Sequence, residues 1–133
     1  MQDDDLRQMG DLLFTTLNAR DWDNALGLFR PEAVFHLGPL DTFHGHADAR
    51  KVFAALSDAY DLRIRSWAHI AEDTRLATQA MMRLDYRKTQ AGLPEAKGQV
   101  VDLPVALFLD ASNGVFTRLR AVFSRVDWMN AIT

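Results

Sequence analysis

A chain of 133 residues that is 48% hydrophobic and 25% charged is long enough for one core and too apolar for disorder. Its net charge of -3 leaves no basic excess for nucleic acid or an anionic membrane, and the absence of cysteine excludes disulfides, thiolate catalysis and Cys-based zinc sites. One domain over 1–133 is expected, without repeats, and its acidic start and lack of any membrane-length apolar run make the cytoplasm the default location.

Asp3, Asp4 and Asp5 favour a helix start, and Leu6, Met9, Leu13 and Leu17 then recur at helical spacing, which predicts a first helix over 4–19. Asp21 caps a second, shorter helix through Phe29, with Trp22, Ala25, Leu26 and Phe29 inward and Pro31 ending it. Residues 33–37 read as a short strand carrying His36, broken by Gly38-Pro39, with a further bridge at Thr42-Phe43. A third helix over 46–60 presents Val52, Phe53, Leu56, Ala59 and Tyr60 as its apolar stripe. Strands over 62–71 and 76–88 follow, joined at Glu72-Asp73-Thr74, and 89–98 is a loop holding Gly92, Pro94 and Gly98. The runs 100–109 and 115–126 are rich in branched and aromatic residues, and Asn113-Gly114 between them readily takes positive φ. They predict a long antiparallel hairpin at the centre of a curved sheet.

Helices first and strands afterwards predict an α+β fold, a strongly curved mixed but mostly antiparallel sheet wrapped around three helices. Alternation turns Leu76, Ala80, Met82, Leu84 and Tyr86 inward against Gln79, Arg83, Asp85 and Arg87, and Leu119, Ala121 and Phe123 inward against Arg118 and Arg120. The outer face then carries Arg83, Asp85, Asp102, Phe108, Phe116 and Arg120, a half-apolar surface suited to a second copy of the chain.

Several short segments in this order are similar to the nuclear transport factor 2-like, or SnoaL-like, superfamily. They are Leu17-Asn18-Ala19-Arg20-Asp21-Trp22 leading to Leu28-Phe29, then Ala33-Val34-Phe35-His36, then Gly45 opening the helix that reaches Arg50-Lys51-Val52-Phe53, and finally Thr117-Arg118-Leu119-Arg120-Ala121-Val122-Phe123. The resemblance implies a cone with an apolar pocket, often dimeric through the outer sheet face, in proteins that include isomerases, polyketide cyclases, dehydratases and epoxide hydrolases. In the isomerase pattern the catalytic base falls on His36, while the two oxyanion-stabilising groups fall on Leu13 and Val105. Without those donors isomerase activity is not carried over. An acidic residue that cyclases place in the last strand has only Ser124 and Asp127 nearby, and the arginine between two aspartates of the epoxide hydrolases is not visible.

Within this frame His36 is the candidate catalytic residue, since an imidazole exchanges protons near neutral pH; the plainer reading is a core histidine bonded to a carbonyl or water. The expected pocket draws Leu13, Leu17 and Phe29 from the first two helices and Phe53 from the third. Its sheet side holds Trp67, Met82, Tyr86, Val105, Leu107, Leu119 and Phe123. His36, Asp41, His44 and His46 cluster in sequence without a specifiable ligand set, so no metal and no cofactor is expected. The chain is read as binding a small apolar organic molecule, with proton transfer by His36 as the chemistry it could add. The alternatives are a non-catalytic accessory or interaction domain with a partly filled cavity, and a cyclase, isomerase, dehydratase or hydrolase of the same superfamily. For the last, a one-residue slip in strand register would bring Asp102 and Arg120 inside.

Overall fold

The computed structural model describes residues 2–133. Helix α1 (Asp3–Asn18) starts on the acidic triplet, where the Asp5 carboxylate accepts from the Gln2 backbone N–H at 3.2 Å. Its face of Leu6, Leu13 and Phe14 is fully buried. Gly10 allows the close approach, because a Cβ there would lie 2.6 Å from Leu76 Cδ2 and 2.8 Å from His69 Cε1. A larger residue would have to push the ends of the Leu76 and His69 side chains aside.

Helix α2 (Trp22–Leu26) is capped by Asp21, whose side chain accepts from the Asn24 N–H. It ends before Phe29, correcting the expected span, and Phe29 instead opens strand β1 (Phe29–Leu37). The ring of Phe29 packs on Phe35 and Phe116 at 4.8 and 5.4 Å between centroids, a tertiary gain that overrides helical spacing. Pro31 therefore lies inside a strand. It does so where the β1 ladder skips from Phe29 to Val34, so its missing N–H breaks no pair.

The chain continues as β2 (Thr42–His44), α3 (Gly45–Tyr60), β3 (Arg63–Glu72), β4 (Arg75–Asp85), β5 (Val100–Ser112), β6 (Val115–Val122) and α4 (Arg125–Ile132). One sheet runs β2-β1-β6-β5-β4-β3, parallel only between β1 and β6, so it is mixed and mostly antiparallel as expected. The closing strand stops at Val122 rather than Val126, and the described residues hold four helices, not three. Ser124 ends the strand by capping α4, its hydroxyl oxygen accepting from the Asp127 N–H at 3.1 Å.

Two bulges bend the sheet and reset its faces. In β3 the pairing shifts between Arg65 and Ala68, with Ser66 at φ 55, so Ile64 points inward before the shift and Ala71 after it. In β6 Phe116 lies opposite Ala111 but Arg118 opposite Asp110, which makes Thr117 the extra residue. Phe116 is consequently buried, correcting its expected place on the outer face. Elsewhere the alternation holds: Leu76, Met82 and Leu84 of β4 and Leu119 and Ala121 of β6 join one core with the three larger helices. No helix among the described residues is long and apolar enough to cross a membrane.

Candidate functional site

The concave face of the sheet meets α1, α3 and α4 around a hollow of about 60 Å³. Leu17 and Phe53 line it from the helices, and Met82, Val105, Leu107 and Leu119 from the sheet. All sixteen lining residues are aliphatic, aromatic or methionine, so the chamber holds no carboxylate, imidazole or amine. Leu40, Leu56 and Trp128 border both this chamber and an open vestibule of about 340 Å³. They form the throat between them.

Polar groups gather in the vestibule. Tyr60 donates its hydroxyl proton to Gln90 Oε1 at 2.8 Å, and Arg125 lines the rim without a carboxylate in salt-bridge range among the described residues. The Trp128 indole stands edge-on to Tyr60 at 4.9 Å, and its buried Nε1–H has no hydrogen-bond partner there. Burial pushes the Tyr60 phenol above the ordinary tyrosine range, an effect the nearby indole N–H opposes. The site thus offers apolar walls and one free cation at the rim.

Of the residues expected around the pocket, Leu17, Phe53, Met82, Val105, Leu107, Leu119 and Phe123 line the chamber, and the others lie elsewhere. Leu13 is packed in the core, and Phe29 is enclosed by Phe35 and Phe116. Tyr86 stacks on Tyr60 at 5.1 Å and pins the 89–98 loop, donating to Pro94 O at 2.7 Å and accepting from Gln90 N at 3.0 Å. Trp67 lies beneath α1, where its Nε1–H donates to Asp11 at 2.8 Å.

His36 corrects the expectation most. Phe35 and Leu37 take the inward positions of β1, so the imidazole between them points to the outer face, 3.0 Å from the Thr42 hydroxyl. It lines a separate cleft with Gly38, Leu40, Thr42, Arg118 and Arg120. His46 donates Nε2–H to the carbonyls of Phe29 and Arg30, at 3.0 and 3.1 Å, which withdraws it from any metal set. No group of three potential ligands is placed to hold a metal among the described residues. Asp102 and Arg120 stay exposed, so the register slip that would bring them inside does not occur. Asp102 meets Arg65 at 3.2 Å instead.

A second polar cluster joins α1 to the sheet. Asp11 accepts from Trp67 Nε1 and, at 2.9 Å, from His69 Nε2, while His69 Nδ1 lies 2.7 Å from the Thr78 hydroxyl. The Trp67 bond, then the His69 bond and charge, outweigh burial and hold the Asp11 carboxyl below the usual range. Thr78 is buried and Asp11 exposed, so the chain of bonds runs from the surface into the core and clamps α1 to β3 and β4.

Sequence reasoning missed Leu40, Tyr60, Gln90 and Trp128 as site residues. One signal was available: Ser124 three residues before Asp127 is a helix-opening pattern, and it would have put Trp128 on a helix. Tyr60 and Gln90 meet only because the chain leaving β4 bonds back to the end of α3, Arg87 N–H donating to the Ala59 carbonyl at 2.8 Å, which no local pattern encodes.

A family model described as SnoaL-like domain matches residues 11–119. A crystal structure of a proposed polyketide cyclase from Xanthomonas campestris superposes with a TM-score of 0.94 at 23% identity, covering 98% of both chains. Another from a Silicibacter species gives 0.91 at 24%, covering 100% of this chain and 98% of that one. AclR, a proposed hydroxylase from Streptomyces galilaeus, gives 0.83 at 16%, covering 98% and 97%. Among curated proteins none matches the chain in sequence.

Proposed function

The chain belongs to the SnoaL-like domain family, and from that premise we propose that it binds a small, mostly apolar organic molecule between α3 and α4. The carrying observation is a polar-rimmed vestibule that meets a wholly apolar chamber across Leu40, Leu56 and Trp128. The chamber alone is too small for an aromatic ring, since a cavity of roughly 150 Å³ is what admits benzene. The vestibule, at about 340 Å³, falls within the range of small-ligand sites. The ligand body therefore sits in the vestibule against Leu40, Val52 and Leu56 and directs an apolar end inward. An acidic group on it would meet Arg125. A polyketide fits this description, and similarly folded chains carry the description of proposed polyketide cyclases.

Tryptophan fluorescence titrated with naphthols, anthrones and quinones tests the reading. Saturable quenching is expected, with a dissociation constant of about micromolar order, and Leu56→Trp with Ala121→Leu should weaken it about tenfold by filling the throat and chamber. Quenching that stays linear, or that the filled variant retains, would overturn it.

One observation favours a second reading, a non-catalytic accessory domain: side chains already occupy most of the concave space, leaving only about 60 Å³. Both readings fit a homodimer through the outer sheet face, where Phe108 is exposed among the Arg65–Asp102 and Arg83–Asp85 pairs.

A further inference from the structure

The cleft that receives His36 has a charge pattern found nowhere else on the sheet. Every arginine except Arg118, Arg120 and Arg125 has a carboxylate in salt-bridge range. Two of these exceptions are neighbours. Arg118 and Arg120 stand two apart on β6, on the same outward face, in a chain whose net charge is -3.

The strand register fixes what surrounds them. Arg120 lies opposite His36 on β1 and Phe108 on β5, neither of which is acidic. Arg118 lies opposite Val34 and Asp110, but the Asp110 carboxylate is 3.8 Å from Arg75 rather than on Arg118. His36 in turn lies opposite Thr42 on β2, and the bond from Thr42 to Nδ1 orients the ring. When Nδ1 accepts that hydroxyl proton, Nε2 carries the other proton and is the free donor. Asp41, the nearest acid in sequence, is exposed and does not line the cleft.

Two guanidiniums and an imidazole N–H oriented by Thr42 therefore bound an open cleft of about 350 Å³ with no carboxylate among its lining residues. Like charges held side by side repel, and an oxyanion removes the repulsion while filling both forks. We propose that His36, Arg118 and Arg120 form a binding site for the phosphate or carboxylate group of a small molecule, with Thr42 holding the imidazole in place. The site opens on the outer face of the sheet with Arg120 beside Phe108, so the titration is made on the Phe108→Glu chain, in which that face is free of a second copy, as well as on the unaltered chain.

The test follows the side-chain NMR signals of His36, Arg118 and Arg120 in the full chain at fixed pH. Inorganic phosphate, phenyl phosphate and benzoate are added in turn, with sodium chloride holding ionic strength constant. The expected result is saturable shifts at these residues, weakened about tenfold in Arg118→Gln/Arg120→Gln and also reduced in His36→Gln. Equal binding of inorganic and phenyl phosphate assigns the site to a free anion, and tighter phenyl phosphate or benzoate assigns it to an organic acid. Shifts no larger than chloride produces, or unchanged in the doubly substituted chain, would overturn the proposal. The exposed arginines make no packing contribution on which folding depends, and the unaltered Asp11–His69 signals report that the variant is folded.

Discussion

Asp61 stands at the end of α3 with φ 45, and its carboxylate ties together segments far apart in the chain. It accepts from Arg20 at 2.6 Å and Arg87 at 2.5 Å, with Arg63 at 3.7 Å. Burial alone would raise its pKa, but the bonds from Arg87 and Arg20 and the charges of Arg87 and Arg63 leave it below the ordinary value. A depressed folded pKa means that ionised Asp61 stabilises the fold above the unfolded value of about 3.9 and loses that contribution as pH falls. Asp61→Asn keeps a residue that tolerates the left-handed backbone and removes the charge. It should lower stability near neutral pH by about 2 kcal/mol, a gap that narrows as pH falls below the unfolded value of about 3.9, as read from urea unfolding at a series of pH values. A gap independent of pH would contradict the role. At this same scale His36 was misread although the signal was present: in Ala33-Val34-Phe35-His36-Leu37 the bulky Phe35 and Leu37 claim the inward face, and a period of two sends the histidine out.

Helix α4 is short, yet it supplies Trp128 to the throat, and its start depends on one hydroxyl. Ser124→Ala removes the acceptor for the Asp127 N–H and should cost about 1 kcal/mol, or about 4 °C in Tm. Acrylamide should then quench tryptophan emission more strongly as Trp128 loosens; an unchanged melt and unchanged quenching would argue against the cap. Most elements were legible because hydrophobic period and breakers agree: α1, α3, β4 and the hairpin lie where 3.6- and 2-residue spacing put them. What was not legible has a common cause. A bulge inserts one residue and sets the two halves of a strand out of phase, as the shift after Arg65 does in β3 and Thr117 does in β6, where Leu119 and Ala121 keep their inward places but Phe116 before them is turned inward too, and nothing in composition announces it. The C-terminal helix was hidden for a different reason, since Phe123 and Val126 extend the branched and aromatic run of β6 past its true end.

At the scale of the whole molecule the sheet separates two environments, an apolar hollow on one side and a charged face on the other. The charged face carries both signs, so it is complementary to itself about a two-fold axis, and exposed Phe108 gives such a contact an apolar centre. Sedimentation equilibrium should give about twice the chain mass of 15.0 kDa, and Phe108→Glu should return it to the single-chain value. A single-chain mass for the unaltered protein at all concentrations would end that reading. The sheet order carries a further consequence for synthesis: β6 follows every other strand in the chain yet lies between β1 and β5. A nascent polypeptide halted at the β5–β6 turn would display two unzipped edges and a bare greasy surface, so ribosome-associated holding factors have something to grip until the final stretch emerges.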